Sequence, residues 1–248
     1  MAAPELSLVF PVFDEEDNIG PLLDSAVALG RRLGRSFEIV VVDDGSRDES
    51  AGRIADARAL HHEIRAVHHP SNRGYGAALR SGLREARGGL VFFSDADLQF
   101  DLDEVERLLA HTGSFDIVAG YRAPRRDPWG RHVLAWGWGT LVNALFGLGV
   151  RDIDCAFKLF RREVLDAMPI ASLGAFVNTE ILVRARAAGF RIRQVPVTHR
   201  PRCAGQASGA SPRVIARALL ELATLYRELR TAHAPRGAES VSSAQTGS

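Results

Sequence analysis

The sequence predicts an α/β protein with a mostly parallel central sheet flanked by helices, and three observations lead there. Short apolar runs of strand length alternate with helix-length amphipathic segments through the first half of the chain. The runs are continuous and β-branched, as in FEIVVV at Phe37–Val42, a composition suited to strands covered on both faces. Acids and turn formers stop the runs at Phe13-Asp14-Glu15-Glu16, Asp43-Asp44-Gly45-Ser46 and Asp95-Ala96-Asp97.

Taken in order, Leu6–Phe13 is the first strand, and Asn18–Leu33 carries helical spacing through Ile19, Leu22, Leu23, Ala26 and Leu29. Phe37–Val42 follows as a strand, Ser50–Leu60 as a helix, Ile64–His68 as a strand and Gly76–Ala86 as a helix. Leu90–Ser94 is the fourth strand, Leu102–His111 a helix and Asp116–Ala119 a strand. After Tyr121 the alternation breaks into a link rich in Arg, Pro and Trp, and Val133–Val150 then runs 18 residues without a charge. Strands at Ala156–Phe160 and Arg191–Thr198 flank a helix at Thr179–Ala188. A last helix near Ser211–Thr231 precedes a polar Ala, Ser and Gly tail. The expected organisation is one domain over residues 1–232 and a disordered tail over 233–248, with no internal repeat.

Composition narrows the function. At 248 residues and 46% hydrophobic content the chain can bury a core without staples. Lys plus Arg number 31 against 30 Asp plus Glu, so no global field calls for a nucleic acid. Locally the charges separate: acids gather at Asp14–Asp17, Asp43–Asp48 and Asp95–Asp103, arginines at Arg122–Arg131 and Arg184–Arg202. Two cysteines, Cys155 and Cys203, are too few for a disulfide framework or a four-ligand zinc site. The N-terminus lacks a basic segment ahead of its apolar run, so a cytoplasmic setting is expected.

In open parallel sheets ligands bind beyond the carboxyl ends of the strands. Three acidic strand ends meeting at one crevice would repel unless a cation or donors lay among them. Asp95 and Asp97, two apart on extended backbone, face the same way with Cα atoms roughly 6–7 Å apart, so both can address one ion. Hard oxygen ligands favour magnesium or manganese, which complete their shell with water and substrate phosphate. Asp-x-Asp also occurs in solvated turns and helix caps, and Asp44 or Ser46 can equally cap the following helix.

Four ordered motifs carry a resemblance. Phe10-Pro11-Val12-Phe13-Asp14-Glu15-Glu16-Asp17-Asn18-Ile19, Asp43-Asp44-Gly45-Ser46, Asn72-Arg73-Gly74-Tyr75-Gly76-Ala77-Ala78 and Asp95-Ala96-Asp97-Leu98-Gln99 resemble inverting glycosyltransferase family two. Within it, the chain resembles the dolichol-phosphate mannose synthase and polyprenyl-phosphate glycosyltransferase branch, over residues 6 to 230. The resemblance implies a Rossmann-like GT-A fold, a nucleotide-sugar donor, Mg2+ or Mn2+, and transfer of a hexose from a UDP- or GDP-linked donor to a polyprenyl or dolichyl phosphate. It implies that Pro11, Phe13 and Glu15 line the base and ribose, that Asp43 reads the base, and that Asp95, Asp97 and Gln99 hold the metal. It places Arg122 on the donor phosphate, Arg131 as a second phosphate-side arginine, and Asp152–Lys158, with Asp154, beside the donor sugar and acceptor. Ala156 stands where the family has Gly. In the segment Thr198–Arg202 and Gly205–Gly209 the family's lysine is missing, so either Arg200 or Arg202 closes over the nucleotide.

The acceptor follows from charge as well. A hydroxyl acceptor needs a general base, whereas a phosphomonoester already carries about −1.5 to −2 charges near neutral pH. Arg122, Arg125, Arg126 and Arg131 beside an apolar segment suit an anionic head with a greasy tail, though the same run can be a solvated basic loop. Trp129, Trp136 and Trp138 mark Val133–Val150 as an interfacial helix, with a buried core helix or a spanning helix as alternatives. Gly137, Gly139, Gly147, Gly149 and Asn143 argue against spanning. The chain is therefore expected to sit peripherally on the inner face of the membrane. The competing enzyme keeps the fold but transfers to a hydroxyl, with Asp154 as base. A phosphate-receiving switch domain is disfavoured because the acid pair follows the second strand. A dinucleotide oxidoreductase is disfavoured because no Gly-x-Gly-x-x-Gly follows the first.

Overall fold

A computed structural model describes residues 3–124, 129–201 and 212–232. Strands β1 (Leu6–Val12), β2 (Phe37–Asp43), β3 (Ile64–His68) and β4 (Leu90–Ser94) alternate with helices α1 (Glu16–Arg32), α2 (Ser50–Leu60) and α3 (Tyr75–Glu85). A 3-10 turn at Leu102–Glu104 leads into α4 (Val105–Leu109), then β5 (Ile117–Arg122) and α5 (Trp129–Phe146). The chain continues through β6 (Phe157–Arg161), α6 (Arg162–Asp166), α7 (Val177–Ala187), β7 (Ile192–Val197) and α8 (Pro212–Ala232).

The strands form one seven-stranded sheet in the order β3-β2-β1-β4-β6-β5-β7. Every neighbouring pair is parallel except those of β6, which runs antiparallel to both β4 and β5. That reversal places the start of β6, where Phe157 pairs with Ser94, at the edge where the parallel strands end.

Period-two alternation sorts the apolar side chains between two cores. Leu8, Phe10, Ile39 and Val41 face α1 and α4, whereas Val9, Val40 and Val42 face α3, with α5, α7 and α8 completing that side. Phe92 meets Phe157 edge-on at 4.7 Å on one face, and Phe93 stacks on Phe160 at 5.8 Å on the other. Truncating any of the four to Ala costs about 3–5 kcal/mol.

Boundaries differ from the sequence reading where polar residues carry them. Helix α1 starts at Glu16 because acids in the first turn offset the helix dipole without contributing to apolar spacing. The helix expected over Leu102–His111 splits into a 3-10 turn, whose Asp101 accepts from Asp103 N–H, and a five-residue α4. Helix α6 is too short for periodicity to reveal.

Helix α5 begins before the uncharged stretch and is two-faced. Val142 is buried and Trp138 Nε1 donates to Thr179 Oγ1 at 3.1 Å, while Val133, Leu134 and Trp136 are exposed. Among the described residues no helix is long and apolar enough to cross a membrane. The tail expected over 233–248 lies outside the described residues.

Candidate active site

The loops after β1 and β2 are interlocked. Asp14, at φ +52°, donates its N–H to Ser46 Oγ at 3.1 Å and accepts Arg47 N–H at 2.7 Å. Glu15 N–H donates to Ser50 Oγ, Glu16 N–H to Asp48 Oδ2, and Glu49 N–H to Glu16 Oε2. Gly45 makes this possible: its φ is +74°, and a Cβ there would lie 2.6 Å from the Ser71 backbone. Glu15 accepts Asn18 Nδ2–H at 2.6 Å, which holds its carboxylate at the start of α1. Pro11 is buried within β1, and Phe13 is exposed at its end.

Alternation sends the two adjacent aspartates of β2 to opposite faces. Asp43 Oδ1 accepts Ser46 N–H at 2.9 Å, and its Oδ2 lies 3.2 Å from Nδ1 of His68, its register partner on β3. Asp44 is 2% exposed and works on the α3 side. It takes the N–H groups of Arg73 and Gly74 at 3.0 and 2.8 Å and the Nδ1 of His69 at 2.6 Å, whose Nε2 reaches Ser81 on α3. Asp44 does not cap α2, the role the sequence allowed it; its carboxylate instead ties down the loop before α3.

At the end of β4 one carboxylate oxygen is left without a hydrogen bond. Asp95 is half-buried, and its Oδ1 is sealed from solvent without a hydrogen bond. Burial first, then the neighbouring Asp97 charge, pushes its pKa up to about 7, against the pull of the Tyr75 hydroxyl, Lys158 and Arg122. Tyr75 sits against it, its buried hydroxyl facing Asp95 and Asn178 without reaching good hydrogen-bond geometry to either. Burial and then Asp95 hold that phenol well above its ordinary value. Asp97 is buried and accepts Gln99 N–H at 3.2 Å. Gln99, expected to hold the metal, instead turns its side chain to the segment after β7, donating from Nε2 to Arg200 O, while its backbone carbonyl accepts Arg200 N–H. Arg200 in turn pairs with Asp101 at 2.6 Å.

Arg122, the last residue of β5, is clamped by Asp152. Nε donates to Oδ2 at 2.7 Å, a terminal nitrogen to Oδ1 at 2.8 Å, and the backbone N–H to Oδ2 at 3.2 Å, a two-pronged geometry that fixes the guanidinium plane. Asp154 is exposed on the turn that leads into β6. The side chain of Arg131, and all of Arg125, Arg126, Arg202 and Gly205–Gly209, lie outside the described residues. A groove of about 630 Å³ runs along α3 and α6, lined by Arg80, Arg84, Arg162 and Met168, and does not include the strand-end acids.

With this geometry in hand, residues 7–168 match the profile of Glycosyl transferase family 2. The chain belongs to that family. Among its relatives is an undecaprenyl-phosphate 4-deoxy-4-formamido-L-arabinose transferase of Pseudomonas paraeruginosa (strain DSM 24068 / PA7). It is 38% identical over 166 residues, covering 66% of this chain and 49% of the relative. A protein of the same name in Enterobacter sp. (strain 638) is 31% identical over 217 residues, 86% of this chain and 65% of its own. The chain thus spans from about half to somewhat under two thirds of these relatives' length.

Solved structures agree on the fold. Mannosyl-3-phosphoglycerate synthase from Rubrobacter xylanophilus superposes with a TM-score of 0.73 at 22% identity, covering 94% of this chain and 78% of its own. Glucosyl-3-phosphoglycerate synthase from Mycobacterium tuberculosis in complex with UDP gives 0.71 at 22%, covering 90% and 80%. The arrangement is the GT-A fold of the glycosyltransferases.

The carboxyl edge of the sheet carries Phe13, Glu15, Asp43, Asp95, Asp97, Arg122 and Asp154, each just past the end of a strand, at it, or before the start of one. A divalent cation fits the donor set: hard carboxylate oxygens, one of them sealed and unpaired, beside a second buried carboxylate. Among the described residues no group of three or more His, Cys, Asp or Glu converges as a ready-made cage. Two carboxylates suffice for magnesium or manganese when substrate phosphate supplies the rest. The sequence reading missed His68, His69 and Tyr75, although His68 and His69 end the third strand and so meet the same criterion that selected the acids.

Proposed function

We propose that this chain transfers one sugar from a nucleoside-diphosphate sugar to a polyprenyl phosphate, inverting the anomeric carbon. The observation that carries the donor half is the sealed Oδ1 of Asp95 without a hydrogen bond, beside Asp97 at the end of β4, the strand next to β1 in the sheet. The relatives, named as transferases to undecaprenyl phosphate, support the acceptor half.

In this reading Pro11, Phe13 and Glu15 line the nucleoside and Asp43 accepts from the base, held in place by Ser46 and His68. Asp95 and Asp97 hold the divalent ion, with Gln99 bracing the loop behind them. The ion supplies charge neutralisation for the departing diphosphate. Arg122, oriented by Asp152, addresses phosphate at the same edge, with Arg131 and Arg202 as further phosphate-side groups. An oxygen of the acceptor phosphate forms the new bond to the anomeric carbon, and the nucleoside diphosphate leaves with the electrons of the broken bond. No proton has to be removed, so no base is required. In this reading the exposed apolar side chains of α5, Val133, Leu134 and Trp136, meet the lipid surface with the acceptor head near Arg122, in a peripheral attachment on the cytoplasmic face.

A second reading rests on Asp154, which is exposed at the acceptor side and could serve as base for a hydroxyl acceptor. Labelled UDP- and GDP-sugars, 4-deoxy-4-formamido-L-arabinose donors included, are incubated with short polyprenyl phosphates or saccharides, with and without manganese. Metal-dependent label in the lipid phosphate is expected, and it persists in Asp154→Asn. Transfer to saccharides alone, abolished by that substitution, points to the second reading. If no nucleoside diphosphate with manganese raises the melting temperature, both readings fail.

A further inference from the structure

Of the 31 basic side chains, one is lysine, Lys158, and the rest are arginine. That lysine is 0% exposed and lies inside the sheet, with Phe93 of β4 and Ala119 of β5 as register partners. Its three ammonium protons all find acceptors: Ile153 O at 3.1 Å, Cys155 O, and Asn178 Oδ1 of α7 at 2.8 Å. The nitrogen also lies 5.5 Å from the centre of the Phe93 ring. Three acceptors converging on one atom suit a compact ammonium, not a planar fork whose five donors spread over three nitrogens. A chain that otherwise uses arginine throughout has lysine at the position where the two are not interchangeable.

Stability alone does not account for it, because taking an ammonium out of water is costly and well-packed neutral side chains often serve as well. What the ammonium grips is informative. Two of its acceptors are the carbonyls on either side of Asp154. Asp152, one residue before Ile153, is the group that clamps Arg122. Behind the same turn lies the acidic pair at the end of β4, so the cation also offsets part of the Asp95 charge.

We propose that Lys158 is a positioning residue of the transfer site. Its ammonium holds the turn between Asp152 and Ala156 in register with the end of β5, so that Arg122 and Asp154 face the acceptor in one fixed geometry. This rests on the transfer reaction proposed above, and the test separates the two.

Lys158→Met keeps the length and removes the donors, whereas Lys158→Arg keeps the charge and changes the donor geometry. Both are compared with the full wild-type chain by amide hydrogen exchange, nucleoside-diphosphate binding and single-turnover transfer. Exchange at 152–156 is expected to accelerate at least about tenfold in both variants, with no change at 13–16 or 46–50. The donor Kd stays within about twofold while kcat falls at least about tenfold, the pattern of a lost arrangement and not of a lost fold. The wild-type side-chain amine is a second reporter: as the only one in the chain, it should resist acylation until the turn opens. Wild-type exchange at 152–156 in either variant, or full kcat despite faster exchange, overturns the proposal. If Lys158→Met does not fold, Asn178→Leu removes one acceptor and should show the same local pattern at smaller amplitude. A wild type that binds no donor and transfers to no acceptor sinks the reaction itself, while the exchange pattern still decides whether Lys158 holds the turn.

Discussion

The two halves of the carboxyl edge are built in opposite ways. Around β1 and β2 the polar groups are paired into a closed lattice, Asp14 with Ser46 and Arg47, Glu16 with Asp48 and Glu49, Asp44 with a loop and a histidine. Around β4 a carboxylate oxygen of Asp95 is sealed from solvent without a hydrogen bond, with the Tyr75 hydroxyl packed against that residue out of good geometry. A lattice that satisfies itself has nothing to gain from a cation and serves to hold a shape. A sealed, unpaired carboxylate oxygen is destabilised until a cation or donor arrives, so binding energy is available there.

The largest effects should therefore come from the unpaired half. Asp97→Asn or Asp95→Asn is expected to lower kcat by about 10²–10³-fold, the scale of losing one preorganised electrostatic group, without loss of stability. Asp95 also sets a pH signature. Below about pH 4 its carboxyl is protonated whether folded or not, and burial has no ionic cost. As pH rises toward 7, the unfolded chain ionises while the folded one keeps its proton, so stability declines across this window. Denaturation between pH 5 and 8 in chelator should show that decline, a few kcal/mol at most. Manganese with nucleoside diphosphate, or Asp95→Asn, should flatten it. A pH-independent stability in chelator would contradict the account of this half.

Next in size is Arg122→Lys. A point charge replaces a fork held by Asp152, so kcat is expected to fall roughly 10–100-fold with the donor Kd little changed. Arg122→Ala should in addition destabilise the fold by about 3–5 kcal/mol, because it strips a buried carboxylate of its ionic partner and leaves it the backbone N–H at position 122. The closed half gives a paired test. Asp43→Asn should weaken donor binding about tenfold with the melting temperature nearly unchanged. Asp44→Asn should cost about 1–3 kcal/mol of stability, since three donors lose a charged acceptor. Equal behaviour of the two variants would mean that the face-splitting of the pair has no functional meaning.

The same contrast explains how much could be read in advance. The β1–β4 alternation and the acidic strand ends follow from period two and from where parallel sheets bind ligands, both of which are local. What is not local was not legible. The antiparallel insertion of β6 brings Asp152 and Asp154 to the edge, and no property of the run Phe157–Arg161 announces its direction. Lys158 reads in sequence as an ordinary strand cation, and Asp44 as an ordinary cap. Their acceptors and donors lie on α7 and before α3, brought near only by the finished fold.

The smallest expected effect is also the most discriminating for the closed half. Ser46 holds Asp14 through its hydroxyl and Asp43 through its backbone N–H, so Ser46→Ala removes the first bond and leaves the second. The freed Asp14 N–H is at the surface, where water can replace the lost acceptor, so the stability cost should stay within about 0.5–1.5 kcal/mol. Asp43 keeps its orientation, and with it the contact to the base proposed above, so donor Kd should rise only about two- to threefold, about half a kcal/mol. A tenfold rise would mean that the hydroxyl, and not the carboxylate behind it, meets the nucleoside. The roles of Ser46 and Asp43 at this end of the edge would then be exchanged.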